Sequence, residues 1–381
     1  MNVLIYGCGQ LAQMMYLAAC PLGITVRAVD VDNECVVHPI SKDTLTLSLE
    51  DAIQQADAIS VEFEHIPEHL LALAQKTGKL MPSMDAVLAG ADRVREKTLL
   101  DTLAVANAEH AIVSELSQLD EVVEKLGLPL ILKASRDGYD GYGQWRLKTL
   151  ESLPELKDEL QTLDLSAVPL VVEKMVPFDR ELSLVGVRNV KGEIAFYPLA
   201  ENTHHEGQLH VSIAPAPDSD ARLQAQAEKA FTAIANAFKY VGVMAVEFFQ
   251  VGETLLVNEI APRVHNSGHW TMAGADTSQF ENHIRAVAGL PLGSTEGKTL
   301  SAMLNIIGCD HFSRELLSVP RTQLHLYGKK VRAKRKMGHI NITADSYTKL
   351  GKKLKKVAEY LPVEHFPRIQ NEANKLIEIK G

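Results

Sequence analysis

The sequence is poor in features that would assign it to several broad classes of protein. Its cysteines, Cys8, Cys20, Cys35 and Cys309, form neither a CxxC pair nor a spacing typical of zinc ligands, so we expect neither a disulfide framework nor a structural zinc site. No apolar run approaches the ~20 residues that span a bilayer, and the chain opens without the basic segment of a secretion signal. These absences predict a soluble protein of the reducing cytoplasm.

Basic residues are also scarce relative to acidic ones. With 39 Lys+Arg against 48 Asp+Glu, the formal net charge is −9, which argues against a general nucleic-acid binder, because such a protein needs a basic face for phosphates. An anionic ligand must then be met by a local basic cluster. The length of 381 residues predicts two or three domains, and the hydrophobic content of 46% is typical of a globular protein.

The segment 243–260 predicts a β-hairpin that carries a metal site. Two apolar runs flank a three-residue loop at 252–254. In that register Glu247 faces Glu259, and two carboxylates ~5 Å apart repel each other unless a cation lies between them. Mg²⁺ prefers such oxygen ligands, and Asn258 offers another.

Two other interpretations of this hairpin remain open. A two-residue loop would place Glu247 opposite Asn258, and a solvated edge hairpin would leave one glutamate in water. A dense polar loop follows the hairpin, and loops carry such clusters mainly at functional sites. Its residues are Arg263, His265, Asn266, Ser267 and His269.

The N-terminus has the pattern of a βαβ unit. A strand at Asn2–Tyr6 is followed by a glycine turn, a helix through Cys20, and a second strand at Thr25–Val29 that ends at Asp30. The turn matches GxGxxA with an acid about twenty residues later, the fingerprint of a dinucleotide site. The same glycines also serve any doubly wound sheet whose first turn lies close to a ligand or a helix, and we favour that interpretation.

A further strand, predicted at Ala58–Phe63, places two acids at its carboxyl end, where open α/β sheets bind ligands. Glu62 and Glu64 could accept hydrogen bonds from the amine or hydroxyls of a substrate. An acidic strand end in water explains them equally well.

A phosphate-binding region is predicted near the middle of the chain. A helix beginning near Asp92 carries Arg93 and Lys97 on one face. The strand Pro129–Ala134 contains Lys133, which a buried strand rarely tolerates without a partner. The glycine-rich loop that follows, RDGYDGYGQW at 136–145, could bind phosphates through its backbone N–H groups, form a simple hairpin turn, or serve as a hairpin lid over phosphates.

Downstream residues suit other parts of a nucleotide and a phosphate ester. Glu173 ends a strand before an extended segment whose backbone could read an adenine edge, and Glu181 suits ribose hydroxyls. His204 and His205 are predicted in a loop after a strand at 196–199. The basic run 329–336, KKVRAKRK, is explained best by one monoester phosphate, although a solvated hairpin or a nucleic-acid patch would also fit.

The order of these residues resembles that of ATP-grasp ligases and, more closely, the 5-(carboxyamino)imidazole ribonucleotide synthase family. The motifs that carry the resemblance are GQL at 9–11, VEFE at 61–64, DRVREKTLL at 92–100, GYDGYGQW at 138–145, YPLAENTHHEG at 197–207, NEIAPRVHNSGHWT at 258–271 and RKMGHIN at 335–341. They extend over nearly the whole chain.

The resemblance implies a mixed α/β ATP-grasp architecture. It has an N-terminal Rossmann-like domain (1–106), a lid domain (107–176) and a larger C-terminal domain (177–381), with ATP between the last two. It also implies Mg²⁺, the substrates aminoimidazole ribonucleotide and bicarbonate, a cytoplasmic homodimer without nucleic-acid or membrane partners, and a place in purine biosynthesis.

The resemblance further assigns individual residues. ATP would be bound by Arg93, Lys133, Gly138, Tyr139, Asp140, Gly141, Gly143, Gln144, Glu173, Lys174, Met175, Val176, Glu181, His204, Asn258 and Glu259. Mg²⁺ would be bound by Glu247 and Glu259. The ribonucleotide would be bound by Gln10, Glu62, Tyr139, Lys329 and Arg335, the last two at its phosphate. One departure is Tyr142, where the family usually has arginine.

The implied chemistry is phosphorylation of bicarbonate by ATP, release of CO₂ from carboxyphosphate, and capture of CO₂ by the ribonucleotide amine. Arg263, His265 and Asn266 would face bicarbonate and carboxyphosphate, while Lys133 would neutralise charge at the transferred phosphoryl group. His265 could act as a base or only as a hydrogen-bonding group. The rivals are a sister ligase using formate or glycinamide ribonucleotide, an NAD-dependent oxidoreductase, and a non-catalytic nucleotide-binding module.

Overall fold

The computed structural model describes residues 1–136 and 143–379. The glycine-rich loop residues to which the resemblance assigns ATP and substrate contacts, Gly138, Tyr139, Asp140 and Gly141, therefore lie outside the described residues, as does Tyr142. The chain is organised around separate sheets in its N-terminal, middle and C-terminal parts.

The N-terminal sheet has the strand order β3-β2-β1-β4, with β1 parallel to both β2 and β4 and with β3 antiparallel to β2. Serine or aspartate side chains cap the backbone N–H groups at the starts of several of its helices, namely at Ser48, Ser83 and Asp92. The elements are β1 (Asn2–Tyr6), α1 (Gln10–Ala19), β2 (Thr25–Asp30), β3 (Cys35–Val37), α2 (Leu49–Gln55), β4 (Ala58–Val61), α3 (Glu68–Lys76), α4 (Met84–Ala91) and α5 (Arg93–Thr102).

The middle part forms an antiparallel sheet that we call the lid sheet, in the strand order β5-β8-β6-β7. Helices α6 and α7 contribute apolar residues to its core, which consists of residues between Val113 and Val172. The elements are β5 (His110–Val113), α6 (Leu119–Leu126), β6 (Leu130–Ala134), β7 (Gln144–Leu147), α7 (Leu153–Leu160) and β8 (Leu170–Lys174).

The C-terminal part is built on an antiparallel sheet that we call the large sheet, in the order β14-β13-β9-β11-β12-β15-β17-β16, with β10 paired to β9. Its elements are β9 (Arg180–Arg188), β10 (Ile194–Phe196), β11 (Ala200–His205), β12 (Gln208–Ala214), α8 (Ala221–Ala237), β13 (Gly242–Val251), β14 (Thr254–Ala261), α9 (Thr271–Gly274), α10 (Gln279–Val287), β15 (Leu300–Ile307), β16 (Thr322–Leu326), β17 (Lys336–Ala344), α11 (Tyr347–Ala358) and α12 (Ile369–Glu378). Short 3₁₀ helices lie at Cys20–Leu22, Leu116–Gln118, Leu150–Ser152, Asn266–Gly268, Arg314–Ser318 and Val363–His365.

The hairpin of β13 and β14 corrects one prediction and confirms another. Val251 pairs with Thr254, so the connection has two residues rather than the predicted three. A two-residue loop alone would have placed Glu247 opposite Asn258. A bulge shifts the register between Glu247 and Phe248, and Glu247 pairs with Glu259 after all. The extra residue in β14 therefore compensates for the shorter loop.

Two other local predictions were wrong. The strand predicted at 58–63 ends at Val61, so that Glu62 and Glu64 follow the strand rather than end it. His204 and His205 lie in β11, not in a loop, because the polar segment AENTHH pairs with β9 and β12 on either side. In a strand between two neighbours, backbone pairing outweighs the low β-propensity of these residues.

The N-terminal sheet and the large sheet share one hydrophobic core. It includes Val3 and Ile5 of β1, Met15 of α1, Val243 of β13 and Phe280 of α10. This packing brings the carboxyl ends of β1 and β4 close to the polar loop that follows β14. Among the described helices, none combines the length and apolar character needed to cross a bilayer.

Candidate active site

The paired carboxylates of Glu247 and Glu259 lie beside His265 and could hold a cation. One side-chain oxygen of each glutamate and a ring nitrogen of His265 lie within 4.8 Å of one another. Burial, and then the charge of Glu259, raise the pKa of Glu247 to about 8. A divalent cation would relieve this repulsion, so the donor set suits Mg²⁺, which prefers carboxylate oxygens.

His265 is held by several hydrogen bonds, so that its ring has a defined orientation. The side chain of Gln279 accepts from the His265 N–H at 2.9 Å and donates to the His265 carbonyl at 2.6 Å. The ring Nδ1 accepts from the Ser267 N–H and lies 2.9 Å from the Ser267 hydroxyl. Burial, and then the charge of Arg263, lower the pKa of His265 well below its usual value. The ring is therefore neutral and carries its proton on Nε2.

The neighbours of His265 are also fixed. The Nε of Arg263 lies 2.8 Å from a carboxylate oxygen of Glu64. Asn266 exchanges two side-chain hydrogen bonds with Asn305, at 2.9 and 2.6 Å. Glu64 is thus not a solvated strand end but the partner that orients Arg263.

A cleft of about 390 Å³ joins the N-terminal sheet to the large sheet. It brings the predicted residues Gln10 and Glu62 to one side and Arg263, His265 and Asn266 to the other. Its complete lining is Gly7, Cys8, Gly9, Gln10, Leu11, Asp30, Val31, Asp32, Glu62, Phe63, Arg263, His265, Asn266, His269 and Lys336.

The carboxylate of Glu62 caps the helix that starts at the glycine turn. Its two oxygens accept from the backbone N–H groups of Gly9 and, at 2.9 Å, of Leu11. A dinucleotide would place its pyrophosphate at this helix N-terminus. Because a negative charge of the protein already lies there, the geometry argues against the NAD-dependent rival.

Two predicted substrate residues from opposite ends of the chain touch each other. The Nζ of Lys329 donates to the side-chain oxygen of Gln10 at 2.5 Å and lies 5.7 Å from the ring centre of Tyr327. Burial, and then the charge of Arg335, lower the pKa of Lys329 to about 8. The basic run forms the connection between β16 and β17, where Arg335 donates to the Lys330 carbonyl at 3.1 Å. Gln10 is thus linked to the predicted phosphate site.

The predicted ATP residues Lys133 and Glu173 form a buried ion pair across the lid sheet, with an N–O distance of 2.8 Å. The other oxygen of Glu173 lies 3.2 Å from the Nζ of Lys97. Burial alone would raise the pKa of Glu173, but Lys133 and Lys97 outweigh it and lower the pKa to about 2. Arg93 donates from its side chain to the Ala134 carbonyl at 2.9 Å, beside Lys133.

Backbone hydrogen bonds at the end of β8 contradict part of the prediction for adenine recognition. The N–H groups of Lys174 and Met175, predicted to be available, are bonded to the carbonyls of Glu109 and Pro129 at 2.9 Å each. Within the described residues, the Val176 N–H has no recorded acceptor. The backbone near β8 therefore offers a purine edge fewer donors than expected.

Glu181 and His204 face each other across β9 and β11, with 2.8 Å between the His204 Nδ1 and the carboxylate. Burial would lower the pKa of His204, but its hydrogen bond with Glu181 raises it. Both residues also influence the charge state of Glu247. The predicted ribose and ATP residues therefore lie beside the carboxylate pair.

Of the glycine-rich loop at 136–145, only Arg136 and residues 143–145 belong to the described residues. The Gly143 carbonyl accepts from the Ala134 N–H at 2.9 Å, and Gln144 pairs with Lys133 across β6 and β7. Gln144–Leu147 is thus the second strand of a hairpin with β6, as the hairpin interpretations of the loop require.

Several residues that support the site were not predicted from the sequence. Gln279 and Asn305 hold the polar loop, and Glu96 accepts from the Ile260 N–H at 2.5 Å. Lys97 and Lys336 were noted in the sequence, but the contact of Lys97 with Glu173 and the position of Lys336 in the cleft were not predicted. A polar residue in the sequence does not identify a partner far away in the chain.

Models of protein families match three consecutive parts of the chain. A ribonucleotide synthetase preATP-grasp domain matches residues 1–90, an ATP-grasp domain matches residues 98–280, and a phosphoribosylaminoimidazole carboxylase C-terminal domain matches residues 301–353.

Curated proteins match over nearly their full length. The N5-carboxyaminoimidazole ribonucleotide synthase of Vibrio cholerae is 49% identical over 379 residues, which cover 99% of this chain and 100% of that protein. The Escherichia coli protein of the same name is 39% identical over 364 residues and 96% of each chain.

Solved structures agree with these matches. The N5-carboxyaminoimidazole ribonucleotide synthetase of Thermus thermophilus is 41% identical with a TM-score of 0.85, over 94% of this chain and 98% of that chain. The Aspergillus clavatus N5-carboxyaminoimidazole synthase, in complex with ADP and 5-aminoimidazole ribonucleotide, is 30% identical with a TM-score of 0.81, over 94% and 97% of the two chains. The chain belongs to the N5-carboxyaminoimidazole ribonucleotide synthase family of ATP-grasp enzymes.

Proposed function

We propose that the protein uses ATP and bicarbonate to carboxylate the exocyclic amine of 5-aminoimidazole ribonucleotide, giving N5-carboxyaminoimidazole ribonucleotide, ADP and phosphate in purine biosynthesis. The observation that carries the proposal is one cleft that contains Gln10, Glu62 and Arg263 and that reaches the carboxylate pair through His265. A substrate amine and a phosphorylated acceptor can therefore meet in the same space.

ATP is assigned to the region between the lid sheet and the large sheet. Arg93 and Lys133 would bind its phosphates, Glu181 its ribose hydroxyls, and the Val176 backbone its adenine edge. Glu247 and Glu259, with Asn258 nearby, would hold Mg²⁺, which when bound neutralises phosphate charge. The repulsion of Glu259 on the buried carboxylate of Glu247 supports this assignment.

Bicarbonate is assigned to the loop that follows β14. Its oxygen would attack the γ-phosphorus of ATP, so that ADP leaves and carboxyphosphate forms. Arg263, held by Glu64, would stabilise the anion, and Asn266 would orient it. Carboxyphosphate would then break its C–O bond to give CO₂ and phosphate inside the cleft, away from water.

The ribonucleotide is assigned to the N-terminal side of the cleft. Lys329 and Arg335 would bind its phosphate, and Gln10 and Glu62 would orient the ring so that the amine nitrogen attacks CO₂. The amine proton needs an acceptor, and His265 suits this role poorly because its Nδ1 is occupied and its Nε2 carries a proton. We assign His265 as a hydrogen-bond donor to the anion and the departing phosphate as the proton acceptor.

The location and assembly of the protein belong to the same proposal. We assign it to the cytoplasm as a homodimer, divided into domains at 1–106, 107–176 and 177–381. Analytical ultracentrifugation would test the dimer.

Product analysis with ¹³C-bicarbonate tests the function directly. With ATP and 5-aminoimidazole ribonucleotide, the expected product carries one ¹³C carboxyl group and forms together with ADP. Formate, glycinamide ribonucleotide and NADH, offered in parallel, should give no turnover. ATP hydrolysis that is independent of the ribonucleotide would overturn the substrate assignment.

The variant Glu259→Gln tests the metal assignment. It should abolish Mg-ATP turnover while the melting temperature stays close to that of the wild type, because the removed charge is one of a repelling pair. Near-normal activity in this variant would remove the metal role of the carboxylate pair.

A further inference from the structure

Lys97 is almost completely buried, which is unusual for a lysine. Only 1% of its surface is exposed, and it is among the largest fully buried side chains of the described chain. Burying a charge costs free energy unless a partner compensates for it. The proposed function gives Lys97 no contact with ATP, bicarbonate or the ribonucleotide, so its burial requires another explanation.

The ammonium group of Lys97 lies beside the ion pair of the lid sheet. Its Nζ is 3.2 Å from one oxygen of Glu173 and 3.5 Å from the Asn107 side-chain oxygen. The other oxygen of Glu173 lies 2.8 Å from the Nζ of Lys133. One carboxylate therefore bridges two lysines, and we call these three residues the triad.

The net charge of the triad differs from that of the Lys133–Glu173 pair alone. Lys133 and Glu173 alone would form a neutral pair. The carboxylate of Glu173 would then compete with a phosphate of ATP for the ammonium group of Lys133. With Lys97 included, the triad carries a net charge of +1. A positive charge on the lid sheet favours binding of a triphosphate in a poorly solvated site.

Helix α5 fixes the position of Lys97. The Arg93 N–H and side chain donate to the Ser135 and Ala134 carbonyls at the end of β6, each at 2.9 Å. The neighbouring Glu96 accepts from the backbone of β14 at Ile260. The helix is thus anchored both to the lid sheet and to the strand that carries Glu259.

We propose that Lys97 is a positioning residue for ATP binding, which shares the charge of Glu173 so that Lys133 remains available to the phosphates. The proposal rests on the proposed function, in which Lys133 binds ATP. A purely structural Lys97 would stabilise the fold without changing the affinity for ATP in a charge-dependent way.

The test is a double-mutant cycle with Lys97→Met and Glu173→Gln. Lys97→Met lowers the triad charge from +1 to 0, and adding Glu173→Gln restores +1 with Lys133 alone. We expect the KM for Mg-ATP to rise about tenfold in Lys97→Met, within the range for coupled charge networks, and to be clearly lower in the double variant than in Lys97→Met. The KM for the ribonucleotide should change less than about twofold.

A merely structural role predicts the opposite pattern. The double variant, which loses two buried polar groups, would then bind ATP no better than Lys97→Met, and this result would overturn the proposal. Lys97→Gln keeps a donor for Glu173 without the charge and should weaken ATP binding as Lys97→Met does. If thermal melts show that Lys97→Met is not folded, the same measurements are made with Lys97→Gln instead.

Lys133→Met separates this inference from the proposed function. If its affinity for ATP is unchanged, the assignment of Lys133 to the phosphates is wrong. If Lys133→Met weakens ATP binding but both Lys97 variants bind ATP like the wild type, the proposed function stands and the role of Lys97 is refuted.

Discussion

The polar and charged residues of the cleft are held by other parts of the protein before any ligand arrives. Arg263 is paired with Glu64, Glu62 is bonded to the backbone of the glycine turn, and His265 is held by Gln279. Each fixed side chain loses little conformational freedom when it meets the substrate. Such preorganised charges stabilise a transition state without the reorganisation that water would need.

Lys329 gives the first prediction. Burial and the charge of Arg335 lower its pKa to about 8, so the side chain is charged below pH 8 and loses its charge as the pH rises above this value. The phosphate of the ribonucleotide stays dianionic throughout, since its second pKa is about 6. We therefore expect kcat/KM for the ribonucleotide to fall above pH 8, while kcat/KM for ATP changes less.

Lys329→Arg is the matched control, because a guanidinium stays charged over this range. In this variant, the decrease in kcat/KM for the ribonucleotide should occur at a higher pH than in the wild type. At pH 7 its affinity for the ribonucleotide should be reduced, because the contact with Gln10 is altered. An identical pH profile in wild type and variant would exclude Lys329 as the titrating group.

At this scale the sequence indicated which residues gather at the site better than it indicated their partners. The dense polar loop of Arg263, His265 and Asn266 indicated a functional site, to which the family resemblance assigned bicarbonate, and the structure brings the three residues to one cleft. The pairing of Arg263 with Glu64 could not be predicted, because it depends on how the N-terminal sheet packs against the large sheet. The burial of Lys97 was hidden for the same reason, since a lysine on a helix is usually solvated.

Among the elements, the β13–β14 hairpin shows how two local features can cancel. The predicted pairing of Glu247 with Glu259 was right, but the predicted loop was one residue too long, and the bulge at Asn258 makes up the difference. Loop length and bulges are set by twist and by packing against β9, which a single sequence does not reveal. The helix start near Asp92 was predicted closely, because the aspartate side chain caps the helix locally.

The contact between the glycine turn and Glu62 gives the second prediction. A Cβ added at Gly9 would lie 2.3 Å from a Glu62 oxygen, which is far too close. Gly9→Ala should therefore displace the carboxylate and raise the KM for the ribonucleotide about tenfold or more, as expected for loss of a charge-assisted hydrogen bond. The KM for Mg-ATP should be nearly unchanged in steady-state assays.

Gly297→Ala is a suitable control for this substitution. A Cβ there would meet Pro198 at 3.6 Å, an ordinary contact, so both KM values should stay near those of the wild type. Equal ribonucleotide KM values for Gly9→Ala and the wild type would show that the position of Glu62 does not matter for this substrate.

For the whole molecule, the distribution of the hydrophobic cores gives the third prediction. The N-terminal sheet and the large sheet share one core, whereas the lid core contains only lid residues. Regions that share a core unfold together, and a separate small core can open on its own. Hydrogen exchange should therefore protect β1 and β13 to a similar extent and β6 less.

Bound ATP should reduce the difference in hydrogen-exchange protection between β6 and the strands β1 and β13, because ligand binding to the lid stabilises its closed and folded form. Exchange of β6 that is as slow as that of β13 without nucleotide would contradict the prediction. Faster exchange of β1 than of the lid would show that the shared core does not couple the N-terminal sheet to the large sheet.

The contact of Lys329 with Gln10 joins residues 319 positions apart in the chain. During translation, a nascent chain can complete its first βα unit early, yet the proposed ribonucleotide pocket lacks a wall until the ribosome has added the segment between β16 and β17. With the proposed assignment of Lys329, messages cut short before that point would yield polypeptides that cannot compete for the ribonucleotide, and newly made chains would become active only near the end of synthesis.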